Sequence, residues 1–252
     1  MTVATGAGVV RMGGSSRPAL RLLCLPWAGG RPDAYRPWLP WLPRDVELWG
    51  ARYPSEPPAD GIAGIARLLA AEADRSLAGP FALYGHSLGA IAAFELAREL
   101  RRLDAPPPEL LGVSGQAAPQ LPRSGRDARE LGDLELLEEV RGFGGTPEAL
   151  LSEEGAAGLL LPGLRRDLEL ASAYEYSAEA PLDVPILAFA SLSDPVASPV
   201  EVAGWSAQTA RSFELHRLPG DHFFVLDATP VVATFLADAL DRGRSADGPG
   251  HE

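Results

Sequence analysis

The stretch Phe81-Ala82-Leu83-Tyr84-Gly85-His86-Ser87-Leu88-Gly89-Ala90 decides the fold. An apolar run of strand type ends in Gly85-His86-Ser87-Leu88-Gly89. Beyond it Leu88, Ile91, Ala92, Glu95 and Leu96 recur at the 3.6-residue spacing of an amphipathic helix. A G-x-S-x-G placed between a strand and a helix is a nucleophile elbow, in which the serine sits on a sharp, strained turn. Glycine is needed at 85 and 89 because side chains there would collide with the neighbouring strand and helix. The helix N-terminus sets the positive end of a dipole beside Ser87.

Outward from the elbow, apolar runs alternate with helical patterns. Strands are expected at Leu20–Leu25, Val46–Ala51, Phe81–Tyr84, Leu110–Ser114, Ile186–Ala190 and Phe213–Leu218. These runs are continuously apolar, as when both faces of a parallel sheet are covered by helices. Helices are expected at Ile62–Leu77, after Ser87 and near Val231–Leu240. The alternation breaks between 116 and 180, where short helical stretches (Asp133–Val140, Pro147–Leu151, Gly155–Leu161, Leu164–Tyr174) are separated by Gly144-Gly145 and Pro162-Gly163. Residues 18–115 and 181–240 therefore read as one α/β core, mostly parallel, with 116–180 inserted as a helical lid over the strand ends where such sheets bind ligands. Residues 1–17 and 241–252, rich in small and polar residues, read as flexible termini.

Composition narrows the chemistry. The 252 residues hold 22 arginines, no lysine and 34 Asp plus Glu, a formal net charge of −12. That balance argues against non-specific nucleic-acid binding, which needs a cationic face, and against an anionic membrane surface. Without lysine there is no Schiff base and no P-loop. The single cysteine, Cys24, lies in an apolar strand and reads as buried and inert. The four histidines are not at metal-ligand spacing, so no metal is expected. No apolar stretch approaches the roughly 18–20 residues of a membrane span. Met1–Gly14 has no signal-peptide core, so a cytoplasmic location is expected.

A serine nucleophile needs a base, and in this fold class the order is Ser, acid, His. Of the later histidines, His216 lies within a strand and His251 in the tail. His222, in Leu218-Pro219-Gly220-Asp221-His222-Phe223-Phe224, follows the last strand and is the candidate base. Asp194, in the loop Ser191-Leu192-Ser193-Asp194-Pro195, is the candidate acid, whose task is to hold the imidazole tautomer. Asp183 sits at the wrong strand end, and Asp221 is adjacent to the histidine. An oxyanion hole takes one N–H from Leu88 and a second from Leu25-Pro26-Trp27-Ala28-Gly29-Gly30, with Ala28 the chosen donor and Trp27 the next.

Several blocks at consistent spacing resemble the type II (external, editing) thioesterases of polyketide and nonribosomal peptide assembly lines. They are Leu23-Cys24-Leu25-Pro26-Trp27-Ala28-Gly29-Gly30, Tyr35-Arg36-Pro37-Trp38, the elbow continued by Phe94-Glu95-Leu96-Ala97, Leu161-Pro162-Gly163-Leu164-Arg165-Arg166-Asp167, Tyr174-Glu175-Tyr176 and Pro219-Gly220-Asp221-His222-Phe223-Phe224. The family's usual Pro-Gly-Arg loop after the second strand is replaced by Arg52-Tyr53-Pro54-Ser55-Glu56-Pro57-Pro58. The resemblance implies an α/β-hydrolase fold, a Ser87–Asp194–His222 triad, and hydrolysis of acyl thioesters on the 4′-phosphopantetheine arm of acyl or peptidyl carrier proteins. No further cofactor is implied; the alternative is a small-molecule ester or lactone hydrolase with the same triad. Trp27, Tyr174 and Tyr176 are candidate substrate contacts, with Leu159, Leu160 and Leu161 either lining the pocket or packing the lid. A monomer is expected. An acidic carrier would need a local basic patch, with Arg98, Arg101 and Arg102, which otherwise read as a solvated helix face, or Arg123, Arg126 and Arg129 at the lid entrance as candidates.

Overall fold

The computed structural model describes residues 6–122, 125–144 and 154–246. Seven strands form one sheet: β1 (Gly8–Gly14), β2 (Leu20–Leu25), β3 (Val46–Arg52), β4 (Phe81–His86), β5 (Leu111–Ser114), β6 (Ile186–Ser191) and β7 (Phe213–Leu218). Their spatial order is β1-β3-β2-β4-β5-β6-β7. All pairings are parallel except β1 with β3. The six expected strands are present, two with the expected bounds and four with an end moved by one or two residues. Every residue of β4 is buried, as the central strand of a two-sided sheet demands.

Strand β1 corrects the expectation of a flexible 1–17 segment. Gly8-Val9-Val10-Arg11-Met12 pairs antiparallel with β3 as a half-exposed edge strand. An edge strand with one covered face needs little hydrophobicity, and the surrounding glycines hid it. Arg11 pairs with Glu47 across the strands, and a register irregularity between Arg11 and Gly13 ends the edge. The expected flexible tail 241–252 is corrected in part. The last helix runs to Ala246, and the remainder, with His251, lies outside the described residues.

Helices cover both faces: α1 (Gly61–Ser76) and α2 (Leu88–Arg102) on one, and the long C-terminal helix Thr229–Ala246 on the other. Between β5 and β6 the chain carries α3 (Asp133–Phe143) and α4 (Glu154–Ala173). The expected break at Pro162-Gly163 is absent, and α4 passes through Pro162. Proline costs a helix one hydrogen bond and a clash, about 3 kcal/mol. Apolar contacts on both sides oppose that cost, since Leu161 and Leu168 pack on Ala128, Leu131 and Leu136. The expected helix Pro147–Leu151 lies outside the described residues. No helix among the described residues is long and apolar enough to cross a membrane.

Candidate active site

Ser87 follows β4 directly and caps α2. Its backbone has φ 55 and ψ −124, one of only two positive-φ non-glycine residues described. Such a conformation costs about 1–3 kcal/mol and persists only where the surroundings over-determine it. Here they do: Ser87 N–H donates to Ser114 O and Ala90 N–H to Ser87 O, each at 2.9 Å. At Gly85 a Cβ would run into the backbone of Gly89 and Ala90; at Gly89 it would meet the carbonyls of Leu25 and Pro26. The elbow is therefore sterically reserved for glycine on both sides. The loop after β2 rests directly on the start of α2.

Beneath the serine lies a buried polar chain. Tyr84 Oη contacts Ser114 Oγ at 2.6 Å, and that hydroxyl contacts His86 Nδ1 at 2.9 Å. Burial first, then the nearby His222, push the His86 imidazole well below its ordinary value and keep it neutral.

His222 is 2% exposed, in the turn after β7. Its Nδ1 lies 3.0 Å from both carboxylate oxygens of Asp194, which sits in the loop after β6 and has no exposed side-chain surface. Asp194 Oδ1 also accepts the Val196 N–H at 2.8 Å. Ser191 Oγ donates to Gly220 O, joining the two loops. A carboxylate against Nδ1 holds the proton there and leaves Nε2 as the basic nitrogen. The His222 ring is 4.8 Å from that of His86, the residue before Ser87, so the three loops converge at the C-terminal ends of β4, β6 and β7.

The remaining expected site residues fall as follows. Leu88 is the buried first residue of α2. Ala28 lies in a turn closed by Gly30 N–H donating to Trp27 O at 2.8 Å. Tyr35 Oη and Tyr53 Oη donate to Leu25 O and Pro26 O at 3.1 and 2.8 Å, fixing the strand end from which the turn departs. Trp27 meets Tyr35, His86 and Phe223 edge-on rather than lining the cavity. That cavity, about 440 Å³, opens beside the elbow and is lined by Leu88, Ile91, Gln116, Tyr174 and Tyr176 among others. Leu160 is half-exposed, Leu161 packs within the insertion, and nothing is described of the Leu159 side chain.

His216 stacks on Phe235 and Phe189. Asp183 pairs with Arg211, and Asp221 accepts the Phe223 N–H. Cys24 is fully buried, and burial pushes its thiol well up. Among the described residues no group of His, Cys, Asp and Glu is placed to hold a metal ion.

Two features were not read from the sequence. Phe143, at the end of α3, packs 5.6 Å from the His222 ring; an aromatic in an insertion carries no signal of its partner. The second is a buried ionic network. Arg98 is 2% exposed, donates to Glu95 at 2.8 Å and to Ser177 O at 2.6 Å, and lies over the rings of Phe94 and Tyr176. Tyr174 Oη donates to Glu95 at 2.7 Å. Arg98, Arg101 and Arg102 all converge on Glu179. Burial alone would raise the Glu179 carboxyl, but the three guanidiniums together hold it down at about 2. These arginines are therefore a structural clasp, neither an open basic patch nor a solvated helix face. Arg126 and Arg129 are likewise paired, with Glu135 and Asp127, and Arg123 lies outside the described residues.

A strained serine elbow at the centre of this sheet, with a buried His–Asp pair at its edge, defines an α/β-hydrolase. Comparison with known proteins narrows the class. Residues 20–240 match the thioesterase domain family. The chain is 34% identical over 232 residues to the gramicidin S biosynthesis protein GrsT of Aneurinibacillus migulanus, covering 90% of this chain and 91% of that one. It is also 34% identical to the thioesterase PikA5 of Streptomyces venezuelae, over 95% and 88% of the two chains. The structure of BorB, a type II thioesterase from the borrelidin biosynthetic cluster, superposes with a TM-score of 0.83 at 32% identity, over 92% of this chain and 97% of BorB. The chain belongs to the thioesterase family, and its similarity covers 88–97% of the length of these three relatives.

Proposed function

We propose that this thioesterase hydrolyses acyl groups from the phosphopantetheine thiol of acyl or peptidyl carrier proteins through a covalent acyl-Ser87 intermediate. His222 Nε2 takes the Ser87 hydroxyl proton as Oγ attacks the thioester carbonyl. The developing oxyanion is stabilised by the Leu88 and Ala28 N–H groups. The tetrahedral intermediate collapses, the C–S bond breaks, and His222 returns the proton to the departing sulfur. A water molecule, deprotonated by His222, then attacks the acyl-serine, and Ser87 is regenerated as the carboxylic acid leaves. Asp194 keeps the Nδ1 proton in place and stabilises the imidazolium. Phosphopantetheine enters as part of the substrate.

The observation that carries this reading is the pairing of His222 Nδ1 with the buried side chain of Asp194, at 3.0 Å, beside a serine held at φ 55. The 440 Å³ cavity next to Leu88 supports an acyl chamber of modest size, walled by Ile91, Tyr174 and Tyr176. Relatives tied to peptide and polyketide biosynthesis support the carrier-bound substrate. The test is release of short acyl groups from a loaded carrier protein by the wild type and by Ser87→Ala, with a simple ester run alongside. Loss of turnover in the variant and preference for the carrier substrate are expected. Undiminished turnover in Ser87→Ala would reject the mechanism, and an ester preference with no carrier effect would favour a small-molecule hydrolase.

A further inference from the structure

Helix α4 carries a buried carboxylate that the chemistry above does not use. Asp167 is 1% exposed. Its Oδ2 accepts the Gly29 backbone N–H at 2.8 Å, and its Oδ1 accepts Arg166 Nε at 2.8 Å. Burying a carboxylate is costly unless it is paired and hydrogen-bonded. Burial pushes this carboxyl above its ordinary value despite both partners. The contact that accompanies this cost is with the backbone of the oxyanion loop.

The geometry of that loop explains the contact. Gly29 has φ +73, and Gly30 N–H bonds Trp27 O at 2.8 Å, which together make Trp27–Gly30 a type II turn. Types I and II differ by a flip of the central peptide, so the Gly29 N–H points to opposite sides in the two. By accepting that N–H, Asp167 selects the type II form. Trp27 O is held inside the turn. The trans peptide aims the Ala28 N–H the other way, out of the turn, in either turn type; what Asp167 adds is an anchor that ties the turn, and with it the position of that N–H, to α4. Leu164, one helical turn before Asp167, packs on the same glycine: a Cβ at Gly29 would lie 3.2 Å from Leu164 Cδ1. Farther along, Ala171 on α4 and Tyr174 just past its end line the cavity.

We propose that Asp167 is a positioning residue for the oxyanion hole, coupling the helix that walls the acyl cavity to the turn that presents the Ala28 N–H. This rests on the reading of Ser87 and Ala28 given above. The test compares Asp167→Ala, Asp167→Asn and Leu164→Ala on a small acyl thioester. A second readout is the affinity for an acyl trifluoromethyl ketone, whose serine adduct places an oxyanion in the hole.

Loss of one oxyanion donor is worth about 10²-fold or more in kcat. Asp167→Ala is expected to lose about that factor with KM within about twofold, and ketone affinity falls in parallel. Asp167→Asn, which keeps an acceptor oxygen, recovers most of the rate. Leu164→Ala, which loosens packing but keeps the hydrogen bond, stays within about threefold of wild type in kcat. Should Asp167→Ala fail to fold, Asp167→Glu, which displaces the acceptor, takes its place with the same expectation.

The proposal is overturned if the Asp167→Ala kcat stays within about threefold of wild type. It is equally overturned if ketone affinity does not follow kcat, or if Leu164→Ala loses as much as Asp167→Ala. Failure of the underlying reading shows separately, as undiminished turnover in Ser87→Ala.

Discussion

Replacing Gly89 with alanine measures how closely the loop after β2 is fitted to the elbow. A Cβ at Gly89 would lie 2.7 Å from the Pro26 carbonyl oxygen and closer still to that of Leu25. Those carbonyls are pinned by Tyr53 and Tyr35, so the strand end cannot simply turn aside. Restoring ordinary contact distances of about 3.5 Å requires the loop or the helix start to give by roughly 1–1.5 Å. Two stability effects oppose each other. Alanine gains up to about 1 kcal/mol over glycine within a helix. Overpacking costs about 1–3 kcal/mol. The net is a loss of about 1 kcal/mol, or about 2–4 °C in Tm for a chain of this size.

The chemical effect is larger. A displacement of about 1 Å at a reacting centre costs on the order of 10²-fold. Gly89→Ala should therefore remain folded, melt a few degrees lower and lose about 10²-fold in kcat for thioester hydrolysis. Steady-state kinetics beside a thermal melt read both. A variant within about threefold of wild-type kcat would refute the argument that the loop after β2 and the elbow act as one rigid unit.

Two further outcomes follow from the geometry. Asp194→Asn removes the carboxylate that holds the His222 Nδ1 proton and should lower kcat by about 10⁴-fold, read by single-turnover hydrolysis; a loss under tenfold would take Asp194 out of the mechanism. Glu179→Gln tests the arginine clasp. The Glu179 carboxyl stands at about 2 in the folded protein against an ordinary 4.5, so its stabilisation is fully present above pH 4.5 and lost as pH falls through about 2. Discounted for its partial exposure, the variant should be less stable by about 1–2 kcal/mol in urea at pH 7. That gap should narrow below pH 5, and a pH-independent gap would contradict it.

The parallel core was legible because its signal is local. Six apolar runs and the periodicity after Ser87 are one-dimensional patterns, and β2 and β7 begin and end where those patterns do. Candidate bases were few, which narrowed the choice to His222. What was not legible depends on partners distant in sequence. β1 is held by β3, and a glycine-rich edge strand looks like a loose terminus until that partner is known.

Pro162 reads as a helix stop unless the cluster around Leu131 and Leu136 is in view. Glu95 lies on the apolar stripe of α2, and nothing local says that Arg98 and Tyr174 wait there to bond it. Arg98, Arg101 and Arg102 look like an open basic face because their common partner, Glu179, lies 77 or more positions along the chain. Asp167 pairs with Gly29 across a separation of 138 residues.

The central claim is that an acyl group passes through Ser87. Incubating the protein with an acyl-loaded carrier protein, quenching in acid and taking the mass of the intact chain and its peptides reads this directly. The expected result is an adduct of the acyl mass on the peptide containing Ser87, trapped in greater amount in a variant slow in deacylation and absent from Ser87→Ala. Release of free acid by Ser87→Ala at the wild-type rate, or an adduct on any other residue, would contradict the account.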